Sequence, residues 1–459
     1  MGEIDQHRQF EVALATDLYQ LTMGASYHAL AMDSPATFSL TVRKPPENRS
    51  FIVVAGVQEV LDRLRHLRFD DEVLDYLRST GQIREDFIDT LRDFQFEGDV
   101  WAVPEGSIVF PDEPVLEIQA PILQAQLAET LVINSLHYAM AVATKAARCR
   151  IAAPDASLID FVLRRTPGIE AGCVAARSCY LVGFDGTSNL LAGQRYGIPV
   201  AGTVAHSFIE ARPSEIDAFR VFRDTFPGPV TLLIDTYDTV RGAHHAVLVA
   251  KELEADGNHV TAVRLDSGDL IELSRAVRGI LDDAGLNHVR IIASGGLDEY
   301  ELEEFARESV PIDAYGVGTN IGTANDAPIL DMAYKLVEYE GVGRLKLSTG
   351  KVSLVGAKQV WRRYDVDGLL ERDIIAARDE DPPGREWQPL LTPVMRGGEV
   401  VDGDTLEHAR DRFTRERARI PEHLRVIEGR GEYDVRLSDE LERRQNRAVR
   451  ETREREGIA

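Results

Sequence analysis

The sequence predicts an α/β protein with an irregular (β/α) barrel-like central domain, an N-terminal α+β domain and a C-terminal extension. Two observations carry this reading. Between Pro229 and Gly322 the chain repeats one unit about every thirty residues: an apolar strand, a polar cluster at its carboxyl end, then an amphipathic helix. At 459 residues and 44% hydrophobic, the chain can also build roughly two or three cores, and the flanking sequence lacks the repeat.

The first segment, residues 1–120, mixes a helix over Asp17 to Ala31, a β segment over Ala36 to Val42, helices rich in Leu and Arg, and strands around Val109 to Ile118. That alternation without a parallel period is α+β. The second segment, 121–340, opens with a long helix from Ile122 to Ala147. The strands Val230 to Thr236, Val260 to Gly268, Val289 to Gly296 and Ile312 to Asn320 follow, separated by helical stretches at Val240 to Leu253, Leu270 to Leu281 and Tyr300 to Ala306. The last segment, 341–459, shows short strands at Gly343 to Leu347 and Gln359 to Arg363 and a loop at Asp381-Pro382-Pro383-Gly384. Its Glu/Arg-rich tail from about Asp439 reads as a frayed surface helix.

The helical stretches are long enough for crossovers, so the strands of the repeat run parallel and their carboxyl ends face one way. Asp235, Asp266, Ser267, Asp269, the Ser294-Gly295-Gly296 turn and the Gly316-Val317-Gly318-Thr319 turn then line one rim. Late glycine-rich βα loops with a helix N-terminus suit a phosphate, and acids beside them suit Mg2+ and a phosphorylated substrate. Asp, Ser and Gly also end strands merely because they make turns and cap helices. One such strand end says little; four in succession point to a site.

The net charge of -24 argues against nucleic acid or an anionic membrane as the main partner, and most of it reads as solvated surface. Cys149, Cys173 and Cys179 are too few and too irregularly spaced for a disulfide framework or a Cys-rich zinc site, and read as reduced core residues. The start of the chain carries Glu3, Asp5, Glu11 and Asp17 with no apolar leader, Gln6 stands where myristoylation needs Ser or Thr, and no run of about 18 apolar residues occurs. The expectation is a cytoplasmic protein.

Three further clusters precede the repeat. Phe161-Val162-Leu163-Arg164-Arg165 follows a strand at Ser157 to Asp160, and either combines a stacking ring with phosphate-binding guanidinium groups or is a core Phe with a surface Arg pair. Gly183 to Asn189 forms a tight turn into a helix. Gly202-Thr203-Val204-Ala205-His206-Ser207 sets one histidine after a short strand, where a satisfied structural histidine and a catalytic one are both open readings.

Taken in order, these clusters resemble the nicotinate phosphoribosyltransferases, members of the type II phosphoribosyltransferases. The resemblance runs from Thr16-Asp17-Leu18-Tyr19-Gln20-Leu21-Thr22-Met23 through Phe161 to Arg165, GTSN at 186–189, GTVAHS at 202–207, IDTYDT at 234–239, RLDSGD at 264–269 and ASGGLD at 293–298 to AYGVGTNIGT at 314–323. It weakens beyond about residue 340.

The resemblance implies that nicotinate attacks C1 of 5-phosphoribosyl-1-pyrophosphate, giving nicotinate mononucleotide and pyrophosphate in NAD salvage, with coupled ATP hydrolysis through a phosphohistidine at His206. It implies that Phe161 stacks on the pyridine ring, with Tyr19 from the partner subunit of a homodimer on the other face. Arg164 and Arg264 would contact phosphates or the ring carboxylate, and Asp235 and Asp266 the ribose hydroxyls or Mg2+. Ser294, Gly295, Gly296, Gly316, Gly318 and Thr319 would cradle the 5-phosphate, and Thr203 and Ser207 would line the substrate pocket. A carboxylate such as Asp238, expected near His206, would fix its tautomer. Neutral Ser188, where nicotinamide-using relatives carry an acid, favours the acid substrate. Val162 and Thr166-Pro167 depart from the family pattern of Gly after the Phe and Ala after the double Arg, and a bulkier Val could narrow the ring pocket. The alternatives are a transferase for another pyridine base such as nicotinamide, and a non-catalytic binder of phosphoribosyl pyrophosphate.

Overall fold

Six short strands, β1 (Ser157–Asp160), β2 (Gly186–Thr187), β3 (Val230–Leu233), β4 (Val260–Leu265), β5 (Arg290–Ser294) and β6 (Ala314–Val317), form one sheet in a computed structural model of the chain. The structure describes residues 12–458 apart from 227, 229, 256, 258, 348–352 and 402; the acidic start of the chain and Pro229 lie outside the described residues. Two compact units are formed, Val142–Pro328 and the combination of Met1–Ala141 with Ile329–Ala459.

In Val142–Pro328 the sheet order is β2-β1-β6-β5-β4-β3, and each neighbouring pair is parallel. The helices Thr239–Ala255, Leu270–Asp283 and Glu299–Arg307 occupy the crossover positions that the apolar period predicts. The first two bury Ala243, Ala246, Val249 and Val277 in one core with Leu232, Val263, Leu265 and Ile291. Strands covered on both faces need apolar side chains on both, which is why β3 is buried at all four positions. Among the described residues β2 and β3 are the two edges, so the sheet is an open part-barrel. The strands end earlier than the apolar runs suggest. β3 stops at Leu233 and β4 at Leu265, and the polar residues after them leave the ladder to form the rim.

The other unit is built on an antiparallel sheet that joins distant stretches of chain. Strand Pro35–Val42 pairs with Pro114–Pro121 on one side and Met332–Tyr339 on the other, and Asp99–Ala102 pairs with Pro114–Pro121 and Thr392–Arg396. A second sheet is centred on the hairpin Lys358–Tyr364 and Leu370–Ala377. The units therefore change over after residues 141 and 328, where the sequence pattern places segment boundaries at 120 and 340. The tail is not frayed. Helix Asp439–Glu456 is capped by Ser438, buries Leu441, accepts the Val355 amide on Gln445 Oε1 (2.9 Å) and ties Arg444 to Asp379 (2.8 Å).

The three cysteines are buried and form no disulfide with one another. Among the described residues no helix is long and apolar enough to cross a membrane.

Candidate active site

The rim of the parallel sheet converges on Arg264, one residue before the end of β4. Its Nε donates to Ser294 Oγ at the end of β5 (2.9 Å), one terminal nitrogen to Thr203 Oγ1 (2.9 Å) and the other to Asp266 Oδ1 (2.8 Å). Its guanidinium carbon lies 5.3 Å from the centroid of the Phe161 ring. A guanidinium is a rigid planar fork, so three anchored partners fix its plane beside that aromatic face.

The carboxylates are held with equal care. Asp266 Oδ1 also accepts from Ser294 Oγ at 2.5 Å. Burial pushes the Asp266 carboxyl up, but the Ser294 hydrogen bond, the Arg264 guanidinium and His206 outweigh it and hold the group below the ordinary carboxyl range. Asp235 Oδ2 accepts from the Asp266 amide (2.9 Å) and Ser267 Oγ (2.7 Å), while its Oδ1 is buried without a hydrogen-bond partner among the described residues.

His206 sets Nδ1 3.1 Å from Thr236 Oγ1 and Nε2 3.9 Å from Asp266 Oδ2. It opens the short helix His206–Glu210. The strand expected before it does not form, since only an isolated bridge from Thr187 to Val200 touches this stretch. The expected neighbour Asp238 is instead engaged by the Arg241 amide (2.8 Å), at the start of helix Thr239–Ala255. Asp269 likewise accepts from the Glu272 amide (3.1 Å) as a helix cap, the plainer of its two readings.

Two glycines are dictated by close approach. Gly295 has φ +105°, and a Cβ there would lie 2.1 Å from the Asp266 carbonyl oxygen; at Gly316 it would lie 2.4 Å from the Phe161 ring. Pairing of β1 with β6 thus presses Phe161 onto a strand with no side chain at that point. The arrangement offers a clamped cation beside an aromatic face, with carboxylates and an imidazole next to it. A flat, negatively charged ring and a phosphorylated sugar match those groups.

Residues 14–137 match the family model of the nicotinate phosphoribosyltransferase N-terminal domain, and residues 156–353 that of the nicotinate phosphoribosyltransferase family. A nicotinate phosphoribosyltransferase of Mycobacterium tuberculosis is 46% identical over 439 residues, covering 95% of this chain and 93% of that protein. The chain belongs to the nicotinate phosphoribosyltransferase family. The Bacillus subtilis nicotinate phosphoribosyltransferase is 37% identical, covering 83% of this chain and 80% of its own. The crystal structure of the human nicotinic acid phosphoribosyltransferase superposes with a TM-score of 0.84 at 29% identity, covering 94% of this chain and 99% of that one.

Against the family motifs, the structure brings Phe161, Thr203, His206, Asp235, Arg264, Asp266, Ser294 and Gly316 to one rim. Ser188 follows β2, exposed, with its amide donating to the Asp160 carbonyl (2.9 Å). Arg164 and Ser207 are exposed and outside the Arg264 network. Gly296 accepts from Asn320 Nδ2 on its carbonyl (2.8 Å), and Gly318 precedes the short helix Thr319–Gly322. Tyr19 lies in the other unit, on helix Leu18–Ala29, and is 47% exposed. Val162 is fully buried and packs where Gly322 leaves room for it.

Sequence reasoning missed Thr236, Asn320 and Asp160. Thr236 and Asn320 stand within recognised motifs, and only their neighbours in space show their use. Asp160 ends β1 and accepts from the Val162 amide (2.9 Å). Burial raises its carboxyl to about 6, against the lowering hydrogen bonds from Thr187 and that amide.

Proposed function

We propose that this protein transfers a 5-phosphoribosyl group to nicotinate in NAD salvage. The pyridine nitrogen attacks C1 of 5-phosphoribosyl-1-pyrophosphate, the new C1–N bond forms as the C1–O bond breaks, and pyrophosphate leaves. The observation that carries this reading is the Arg264 fork, held by Thr203, Asp266 and Ser294 with Phe161 beside it. It suits a flat aromatic acid whose ring stacks on Phe161 and whose carboxylate, or the donor phosphate next to it, meets the guanidinium. Catalysis then consists of orientation and charge stabilisation, with no covalent sugar intermediate. Arg164 would reach the leaving phosphates, and Gly295, Gly296, Gly318 and Thr319 would hold the 5-phosphate by backbone amides.

Mg2+ fits the site in part. Among the described residues no group of three or more His, Cys, Asp or Glu side chains could hold a metal ion alone. Mg2+ is ordinarily bound by one or two carboxylates together with substrate phosphates. Asp235, with its free buried Oδ1, is the better protein ligand, since Asp266 already commits Oδ1 to Arg264 and Ser294. When bound, Mg2+ would offset charge on the departing pyrophosphate.

His206 is proposed to take a phosphoryl group from ATP: an N–P bond forms, the terminal P–O bond of ATP breaks and ADP leaves. With Thr236 Oγ1 accepting from Nδ1–H, the Nε2 lone pair is left as nucleophile. The phosphoenzyme would bind the phosphoribosyl donor more tightly and draw nucleotide formation forward. Tyr19 is proposed to complete the ring pocket of a partner subunit in a homodimer. Buried cysteines that form no disulfide with one another suit the cytoplasm. The decisive experiment identifies products after incubation with labelled donor, ATP, Mg2+ and a panel of pyridine carboxylates and amides. Nicotinate mononucleotide is expected; a product from nicotinamide instead, or no turnover with bound donor, would replace this reading with one of its alternatives.

A further inference from the structure

Behind the two glycine-rich turns lies a buried cluster of charges that the transferase reading leaves unused. Lys145 and Arg148, one turn apart on helix Ile122–Ala152, are 0% and 3% exposed. Lys145 Nζ donates to Glu299 Oε2 (2.7 Å) and Asp326 Oδ1 (2.9 Å), and stands 3.5 Å from Asp298 Oδ2. Arg148 Nε donates to Glu299 Oε1 (2.9 Å). Both cations lie 5.7 Å from the centroid of the Tyr300 ring, whose hydroxyl donates to Asp326 Oδ2 (3.4 Å). Burial pulls the Lys145 ammonium down, but Glu299 and Asp326 outweigh it and keep the group charged.

The places of these carboxylates in the chain give the cluster its meaning. Asp298 and Glu299 begin the helix that follows the Ser294-Gly295-Gly296 turn, and Asp326 closes the segment that follows the Gly316-to-Thr319 turn. Buried ion pairs contribute little net stability, because desolvation offsets their attraction; what they specify is one arrangement in which every charge is met. Lys145 bonds to the stems of both turns at once. Removing its ammonium leaves Glu299, Asp326 and Asp298 without the cation they share, and the stems are free to separate.

We propose that Lys145 is a positioning residue for the phosphate end of the phosphoribosyl donor, holding the two glycine-rich turns at the spacing that fits one phosphate. This rests on the proposed transferase function. The test compares Lys145→Met, Asp326→Asn and Lys145→Arg with the wild type, by direct titration with phosphoribosyl pyrophosphate and Mg2+ and by steady-state kinetics. Misplacing a binding loop by about 1 Å costs on the order of 10- to 100-fold. Lys145→Met should weaken donor binding and raise donor KM by about tenfold or more, leave the KM for nicotinate within about threefold, and be partly rescued by Lys145→Arg. Unchanged donor affinity in folded Lys145→Met overturns the proposal, as does equal weakening of both substrates. If Lys145→Met does not fold, near-isosteric Asp326→Asn carries the same expectation and decides. A wild type that binds no phosphoribosyl pyrophosphate refutes the transferase reading itself, whereas wild-type binding with unaffected variants refutes only the role of Lys145.

Discussion

Arg264→Lys keeps the charge and removes the fork, and so isolates what the geometry contributes. The native guanidinium meets Ser294, Thr203 and Asp266 at 2.8–2.9 Å through three different nitrogens, with its side chain only 12% exposed. A lysine ammonium is a single point of charge on a flexible stem and can hold the Asp266 contact, but not the two hydroxyls at the same time. Two charge-assisted hydrogen bonds of about 1.5 to 3 kcal/mol each are then lost, roughly 3 to 6 kcal/mol of ordering at the reacting centre. At about 1.4 kcal/mol per decade, kcat/KM for nicotinate should fall on the order of 100- to 10,000-fold. The assay is initial-rate synthesis of nicotinate mononucleotide across nicotinate concentrations at saturating donor, with the thermal unfolding midpoint measured in parallel. A variant within about twofold of the wild type would refute the argument that the anchored plane of Arg264 matters. Loss of activity that merely tracks loss of folded protein would refute it equally.

Further outcomes follow from the same geometry. Ser294→Ala removes a hydroxyl that lowers the Asp266 carboxyl, so the acid limb of kcat/KM should move to higher pH; an unmoved limb would mean that Asp266 does not control it. In stability terms, Asp266 has a lowered folded pKa. Its contribution is present above the unfolded value and lost as pH falls through the folded one, and the variant should lose part of that advantage near neutrality. His206→Ala should abolish ATP hydrolysis and phosphoenzyme while leaving slow ATP-independent synthesis; retained ATP stimulation with an acid-labile phosphoenzyme would make the histidine structural. Ser188→Asp should erode a preference for nicotinate over nicotinamide of more than about tenfold, because one repelled carboxylate is worth roughly 1 to 3 kcal/mol. Mixing inactive Tyr19→Ala and Asp266→Ala chains should restore some activity if sites are shared in a homodimer; none after confirmed subunit exchange would rule sharing out.

The rim residues are legible in the amino-acid sequence because each stands at the end of its own apolar run, and parallel strands must present those ends together. That local logic reaches Asp235, Asp266 and Ser294, and the glycine-rich turns that follow β5 and β6. The family motifs add Phe161, His206 and Arg264. Where one residue type serves two purposes, local logic stops short: Asp269 reads as a rim acid and Asp238 as the carboxylate near His206, yet both satisfy amides at helix starts.

The sequence by itself determined the parallel βα repeat, the edge to which the candidate site residues are brought and the burial of the cysteines. All three follow from apolar periodicity and residue type along a short stretch of chain. Tertiary structure alone decided that β1 lies beside β6, which presses Phe161 onto Gly316 and under Arg264, and that Thr236 is the group that meets His206. It alone decided that strand Pro35–Val42 pairs with Met332–Tyr339, far along the chain. It also converted Lys145 and Arg148, unremarkable on a long helix, into the buried partners of Glu299 and Asp326. The physical reason is common to all of these. A pairing between distant segments, or a charge satisfied across the fold, has its energy in the contact and leaves no periodic mark on either partner's own sequence.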